Sequence, residues 1–266
     1  MTKISKVLVI AGSDPSGGAG MQADLRVIAL HDVYGAGVIT CLTAQNTQKV
    51  YEIFDIPIEF LRKQIAVVLD DINFDVIKIG MLANLEVIEC IADELDKRNC
   101  QIPIILDPVM VATSGDILLK ENAIHSLKNR LASKAFLITP NIDEAEILSD
   151  IKITDLFSMQ ESARKIKALG AKAVLIKGGH LNFEDHKIHN VLLDENDKIH
   201  IISNPRIEVE NIHGTGCSLA SAISANLAKK YDLLSACQSA NNYIFNGAKN
   251  FEKIGKGSCV LGLSSK

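Results

Sequence analysis

Apolar positions recur along this chain in two alternating rhythms. Val7-Leu8-Val9-Ile10 is a short β-branched run without polar interruption, the pattern of a central strand covered on both faces. A glycine-rich loop over residues 12–20 follows, and then Met21, Leu25, Ile28 and Ala29 return at helical spacing. Gly37 to Leu42 reads as a second buried strand that runs out into polar residues 43–47. Pro57 to Ile72 predicts a helix with Phe60, Leu61, Ile65, Val68 and Leu69 on one stripe, and Val76 to Ile79 the next strand. Asn84 predicts the N-cap of a helix built on Val87, Ile88, Ile91 and Leu95, after which Ile104 to Leu106 is again a strand.

The second half repeats the alternation. Phe136 to Thr139 is a strand stopped by Pro140, and Asn141 to Glu144 opens a helix with capping spacing. Ser158 to Glu161 reads as another capping box, and Ala173 to Ile176 as a strand. Ile188 to Leu193 and Ile199 to Ser203 flank a polar turn, which predicts a β-hairpin and an antiparallel edge. Two helices rich in Ala and Ser, Leu219 to Lys230 and Leu233 to Phe251, complete the pattern, with the tail after Gly255 expected to be loosely held. The rhythm is that of an α/β protein with a mostly parallel sheet and helices on both faces. No repeat, low-complexity tract or linker divides the chain, so residues 1–266 are expected to form one domain.

Composition narrows the setting. With 47% hydrophobic residues, no Trp and a net charge of −4, the chain has no general electrostatic pull toward nucleic acid or anionic membrane. The early apolar run is far below the roughly 20 residues that span a bilayer. The six cysteines, at positions 41, 90, 100, 217, 237 and 259, form no C-x-x-C pair, and the N-terminus does not look like a signal peptide. Disulfides are not expected, and a cytoplasmic location is.

Candidate chemistry gathers where strands end. His213-Gly214-Thr215-Gly216-Cys217-Ser218 sets two glycines around a threonine at a helix start, where free N–H groups and the dipole favour an anion such as a phosphoryl group. The same hexapeptide also fits a plain tight turn with Cys217 as a small apolar residue. The 12–20 loop lacks the endings of a P-loop or a dinucleotide fingerprint. Asp24 is expected in the first turn of its helix, where the dipole alone would favour it. Gln45 could read a heteroaromatic ring bearing an amino group, or belong to an ordinary polar turn. Asp107, after a strand end, suits Mg²⁺ or a loop cap, and Lys177, beside two glycines, suits a phosphate or solvent.

Taken together, Ala11 to Gly20 with Gln22-Ala23-Asp24, Ala44 to Thr47, Lys78 to Leu82, Asp107 to Met110, Thr139 to Asn141, Lys177 to His180 and His213 to Cys217 resemble, in order and along nearly the whole length, the hydroxymethylpyrimidine/phosphomethylpyrimidine kinases of thiamine biosynthesis. The resemblance implies a ribokinase-like three-layer α/β/α fold, usually homodimeric. It implies ATP-dependent phosphorylation of 4-amino-5-hydroxymethyl-2-methylpyrimidine to the monophosphate and then to the diphosphate at one site. Carried over, Asp24, Gln45, Met81 and Val109 would surround the pyrimidine. Lys177, Asn141, Thr215 and the Gly214 to Gly216 amides would hold ATP, and Asp107 and Glu144, with Asn141, would organise Mg²⁺ through water. Cys217 stands where most ribokinase-like sugar kinases place an aspartate base, and a helix N-terminus could lower its pKa toward neutrality. Ile212 and Ser218 depart mildly from the family pattern, where Thr is frequent at both. Pyridoxine/pyridoxal kinases share the fold, which makes a shifted or dual specificity the alternative, and a ligand-binding sensor that lost turnover is the alternative of another class.

Overall fold

A computed structural model describes residues 4–110, 119, 121–208 and 212–262. In chain order the first half holds β1 (Lys6–Ser13), α1 (Gly20–Leu30), β2 (Tyr34–Gln45), β3 (Val50–Asp55), α2 (Ile58–Asp71), β4 (Val76–Ile79), α3 (Leu85–Lys97), β5 (Ile104–Leu106) and α4 (Glu121–Ser126). A π-turn and a 3₁₀ turn lead from α4 to β6 (Leu137–Ile138), followed by α5 (Ile142–Ser149), α6 (Leu156–Lys167) and β7 (Ala173–Ile176). The second half ends with β8 (Lys187–Leu193), β9 (Ile199–Pro205), β10 (Ile212–His213), α7 (Thr215–Ala228), α8 (Leu233–Lys249) and β11 (Cys259–Val260).

Nine strands form one sheet in the order β3-β2-β1-β4-β5-β6-β7-β8-β9. The six from β2 to β7 run parallel, β8 and β9 add an antiparallel hairpin at one edge, and β3 is antiparallel at the other. The central strands β1, β4, β5, β6 and β7 are buried on both faces, their side chains alternating between two cores. Leu8, Ile10, Ile77 and Ile79 join a core under α2 to α6, whereas Val7, Val9 and Val76 join a second core under α1, α7 and α8. Lys78 breaks the apolar run on that second face and is fully buried. Helix α7 is buried almost along its length, and its Ala and Ser side chains let it lie close to the sheet, α1 and α8 at once. The sheet changes direction of winding at β1, whose neighbours are β2 and β4, so the carboxyl ends of β1, β4 and β5 open onto one crevice.

Several sequence expectations are corrected here. The 43–47 stretch is not all turn, because β2 continues to Gln45 and folds back into β3. That strand escaped notice because Val50–Asp55 is largely exposed and carries no buried alternation. Phe60 faces outward at 58% exposure and is not on the buried stripe of α2. The second capping box belongs to Asp155, with Ser158 as its third helical residue. Helix α7 starts at Thr215, four residues earlier than its apolar pattern, which places the glycine turn at the helix end itself. The tail is held: Ser258 N–H donates to the Thr47 carbonyl at 2.8 Å, Gly257 N–H to Thr47 Oγ1 at 3.1 Å, and β11 pairs with β10. Residues 263–266 of that tail lie outside the described residues.

Candidate active site

The crevice widens into a cavity of about 650 Å³ lined by strand ends, the 12–20 loop and the start of α7. The anion turn forms its floor. Gly214 has φ 79°, and a Cβ there would lie 1.9 Å from the Gly18 carbonyl oxygen, so both backbone conformation and close approach require glycine. The first helical bond of α7 runs from Ser218 N–H to the Gly214 carbonyl at 2.9 Å. The N–H groups of Thr215, Gly216 and Cys217 therefore precede any intrahelical partner. A Cβ on Gly216 would come within 3.1 Å of Lys177 Nζ, which brings the lysine ammonium to the same turn.

Lys177 also meets two carboxylates. Its Nζ lies 2.8 Å from Asp107 Oδ1 and 3.9 Å from Glu144 Oε2. Asp107 Oδ1 accepts a second bond from Thr139 Oγ1 at 3.0 Å, while Asp107 Oδ2 is buried with no hydrogen-bond partner. Burial works against the Asp107 charge, yet Lys177, Lys78 and these hydrogen bonds hold its carboxyl below the usual range. Glu144 goes the other way. Burial outweighs the pull of Lys177, and repulsion from Asp107 adds to it, so its pKa rises to about 7. The Asn141 and Glu144 spacing is a true capping box, with Asn141 Oδ1 accepting from Glu144 N–H at 2.9 Å and Glu144 Oε2 from Asn141 N–H at 2.8 Å. Helix start and chemical site thus share residues here.

Gln45, Met81 and Val109 line the same cavity. Thr43 Oγ1 donates to Gln45 Oε1 at 3.1 Å. Gln45 Nε2 and Asp14 Oδ2 both meet His213 Nε2, at 3.2 and 3.1 Å. One ring nitrogen cannot donate to the carboxylate and accept from the amide at once, so the His213 tautomer decides which it serves. Asp14 also accepts the N–H groups of Ser16 and Ala19, both at 2.9 Å. Burial opposes its charge, but His213 and the loop donors hold its pKa below the ordinary value. The glycine-rich loop is therefore folded around Asp14 and tied to the anion turn, a role the sequence showed only as two acidic and aromatic members of motifs.

Two expectations fail. Asp24 is the fifth residue of α1, outside the first turn. It is fully buried and does not line the cavity: its carboxylate pairs with Lys78 Nζ at 2.7 Å and accepts from Ser221 Oγ at 2.7 Å. The pyrimidine contact expected of it is not made available by this arrangement. Cys217 does line the cavity, at the third position of α7, but its thiol is not lowered. Burial pushes it up to about 12, and Asp107 and Asp24 add to that against the pull of Lys78.

The far wall of the cavity was invisible in the sequence. Gly178 N–H donates to Asn190 Oδ1 at 3.0 Å, Asn190 Nδ2 to Asn241 Oδ1 at 2.9 Å, and Asn204 Nδ2 to the Asn241 carbonyl at 3.1 Å. These amides join β8, β9 and α8, and Ile244 and Phe245 supply apolar surface beside them. Residues scattered over the last third of the chain meet only because the edge hairpin and α8 pack together.

Comparison with known proteins agrees with this geometry. A family model described as phosphomethylpyrimidine kinase matches residues 14–261. The hydroxymethylpyrimidine/phosphomethylpyrimidine kinase of Haemophilus influenzae is 40% identical over 97% of this chain and 96% of its own. Among solved structures, the ADP complex of Bacillus subtilis pyridoxal kinase superposes with a TM-score of 0.89 at 32% identity, covering 99% of this chain and 98% of that one. A phosphomethylpyrimidine kinase from Clostridium difficile gives 0.80 at 40% identity, over 91% of this chain and 98% of that one. The chain belongs to the phosphomethylpyrimidine kinase family.

Proposed function

We propose that this protein is a kinase that phosphorylates hydroxymethylpyrimidine to its monophosphate and the monophosphate to the diphosphate, with ATP as donor, in thiamine biosynthesis. The observation that carries this is that one cavity brings together the N–H turn before α7, Lys177 and Cys217 with Gln45, Met81 and Val109, in a member of this family. ATP phosphates rest on the Gly214, Thr215 and Gly216 amides and on Lys177, with Asn141 at the edge, and the base of ATP lies along the Asn190 and Phe245 wall. Gln45 reads the polar edge of the ring, and Met81 and Val109 pack its faces. Cys217 accepts the hydroxyl proton as the new O–P bond forms and the bond to the ADP oxygen breaks, so the thiolate fraction limits this step.

Mg²⁺ fits the carboxylates. No group of three or more His, Cys, Asp or Glu placed for a metal occurs among the described residues, but Mg²⁺ keeps waters and phosphate oxygens and needs only one or two carboxylates. Asp107, whose Oδ2 is buried and unpartnered, and Glu144 would hold it through water. When bound, it supplies charge neutralisation to the transferring phosphoryl group.

We further propose one kinase domain, a cytoplasmic location, where six free cysteines suit a reducing compartment, and a homodimer. Among the described residues no helix is long and apolar enough to cross a membrane. The test is product stoichiometry with ATP in excess. Two ADP per hydroxymethylpyrimidine are expected, and monophosphate accumulating as end product after one ADP defeats the two-step reading. The similarity to a pyridoxal kinase structure supports a second reading, dual specificity, which competition between hydroxymethylpyrimidine and pyridoxal for one ATP-dependent activity decides.

A further inference from the structure

The polar groups around Gln45 compete for too few protons. Thr43 Oγ1 lies 3.0 Å from the Ser13 carbonyl and 3.1 Å from Gln45 Oε1. Gln45 Nε2 lies 3.2 Å from His213 Nε2, which is also 3.1 Å from Asp14 Oδ2. A hydroxyl carries one proton and two lone pairs, and a ring nitrogen carries either a proton or a lone pair. With the amide oxygen toward Thr43, the hydroxyl serves Gln45 or Ser13 but not both, and His213 must offer Gln45 a bare Nε2. That bare nitrogen then faces the Asp14 carboxylate, lone pair against charge.

Exchanging the two ends of the Gln45 amide removes both conflicts. Thr43 then donates to the Ser13 carbonyl and accepts from Gln45 Nε2, while a protonated His213 Nε2 donates to Asp14 Oδ2 and Gln45 Oε1 together. A buried acceptor left unserved costs more than a made bond gains, and Asp14 is only 3% exposed, so the exchanged arrangement is favoured. The imidazole is held where this needs it. Its side chain is 12% exposed, a Cβ on Gly18 would lie 2.4 Å from its Cδ2, and its backbone pairs with Val260.

The order of the amide matters to a substrate. Each end of it keeps one bond free, a second N–H on Nε2 and a second lone pair on Oε1. Oε1 lies on the side of His213, which directly precedes Gly214 of the anion turn, and Nε2 lies on the side of Thr43. In 4-amino-5-hydroxymethyl-2-methylpyrimidine the amino group stands between the ring nitrogen N3 and the carbon that bears the hydroxymethyl. A ring whose amino group donates to Oε1 and whose N3 accepts from Nε2 therefore carries its hydroxymethyl on the His213 side, toward the phosphate amides. With the amide reversed, the same two bonds send the hydroxymethyl the other way.

We propose that His213 is a positioning residue for the acceptor substrate: by donating its Nε2 proton to Asp14 and Gln45 together, it fixes the order of acceptor and donor that Gln45 offers. The site thereby selects a ring whose amino group adjoins its reactive hydroxymethyl. This rests on the reading of Gln45 as the contact for the ring's polar edge.

The test sets hydroxymethylpyrimidine against its 4-oxo analogue, in which C4 carries an acceptor and N3 a proton, the reverse order. Both use the same phosphate turn, so the ratio of their kcat/KM values cancels any disturbance of ATP binding. Wild type is expected to favour the amino substrate by at least about a hundredfold, because polar groups left unpaired reject a ligand strongly. His213→Leu and Thr43→Val release the amide, and each should cut that preference at least about tenfold, whereas Thr43→Ser keeps the hydroxyl and should retain it. A folded His213→Leu enzyme with the wild-type ratio overturns the proposal, and so does a wild type without preference for the amino substrate. Nitrogen NMR of ring-labelled histidine in wild type, with hydroxymethylpyrimidine bound at about pH 8, where an ordinary histidine is neutral, should find the proton on His213 Nε2. A bare Nε2 overturns the proposal even where neither variant folds. Gln45→Leu judges the underlying reading separately: an unchanged pyrimidine KM removes Gln45 from the ring, while a raised KM together with a bare His213 Nε2 removes only the role of His213.

Discussion

At the scale of single residues the cavity separates polar groups that act from polar groups that support. Cys217 lines the cavity together with the N–H turn and Gln45, and as the proposed proton acceptor it should contribute about 10²–10⁴-fold to kcat. Cys217→Ala is expected to lose that much while melting temperature and ATP binding persist, and a kcat within about threefold of wild type would falsify the assignment, leaving amides and positioning to do the work. With the thiol at about 12, kcat/KM should climb through the neutral range without levelling near pH 8, the opposite of a lowered thiol. For Gln45, replacement by Leu leaves buried ring nitrogens unpaired and should weaken pyrimidine binding by about 1–3 kcal/mol, read as KM, with the ATP KM unchanged. Glu144 supplies a pH dependence of known sign. Its pKa is raised from 4.5 to about 7, so the folded state binds the extra proton, and its stabilising share is complete below 4.5 and lost as pH rises through 7. Glu144→Gln should therefore flatten the fall in melting temperature over that window; an unchanged slope would show that another group titrates.

At the scale of elements, the turn before α7 carries two constraints at once. Gly214→Ala meets both the left-handed φ of 79° and the Gly18 carbonyl 1.9 Å away, so it should cost about 1 kcal/mol or more in stability and shift the amides off the phosphates. Loss of even one such donor is worth about 10²–10³-fold in kcat. Activity falling that far while Gly179→Ala, whose Cβ would meet nothing within 4 Å, stays near wild type is the expected pair of results. Much of the element pattern was legible: the buried strands Val76–Ile79 and Ala173–Ile176 and the Asn84 cap lie where the apolar runs and the polar cap residue put them. What was illegible has a common cause. β3 is an exposed edge, α7 starts with Gly214 as its cap and Gly216 in its first turn, which no helical pattern would include, and the tail is fixed by backbone bonds to Thr47 that involve no side-chain periodicity.

At the scale of the whole molecule, apolar side chains remain uncovered near the β3 edge. Leu42 and Phe54 are cross-strand partners at 41% and 61% exposure, and Phe60 and Val67, seven residues apart on α2, are more than half exposed. This face is the candidate interface of the homodimer proposed above, since such surfaces are usually covered. Phe54→Glu should shift the sedimenting species to monomer, whereas a wild-type mass in that variant would remove this face from the interface. The sequence by itself determined the parallel α/β rhythm, the absence of disulfides to be expected, and the residue types of the phosphate turn, because periodicity, composition and glycine spacing are local properties of a chain. The tertiary structure alone decided that Asp24 neutralises Lys78 and leaves the cavity, that Cys217 has a raised thiol, and that Asn190, Asn204 and Asn241 form one wall. Burial and electrostatic pairing depend on which distant strands and helices meet, and residues separated by 54 or 197 positions, as Asp24 is from Lys78 and Ser221, acquire their chemistry only when the sheet and helices pack them together.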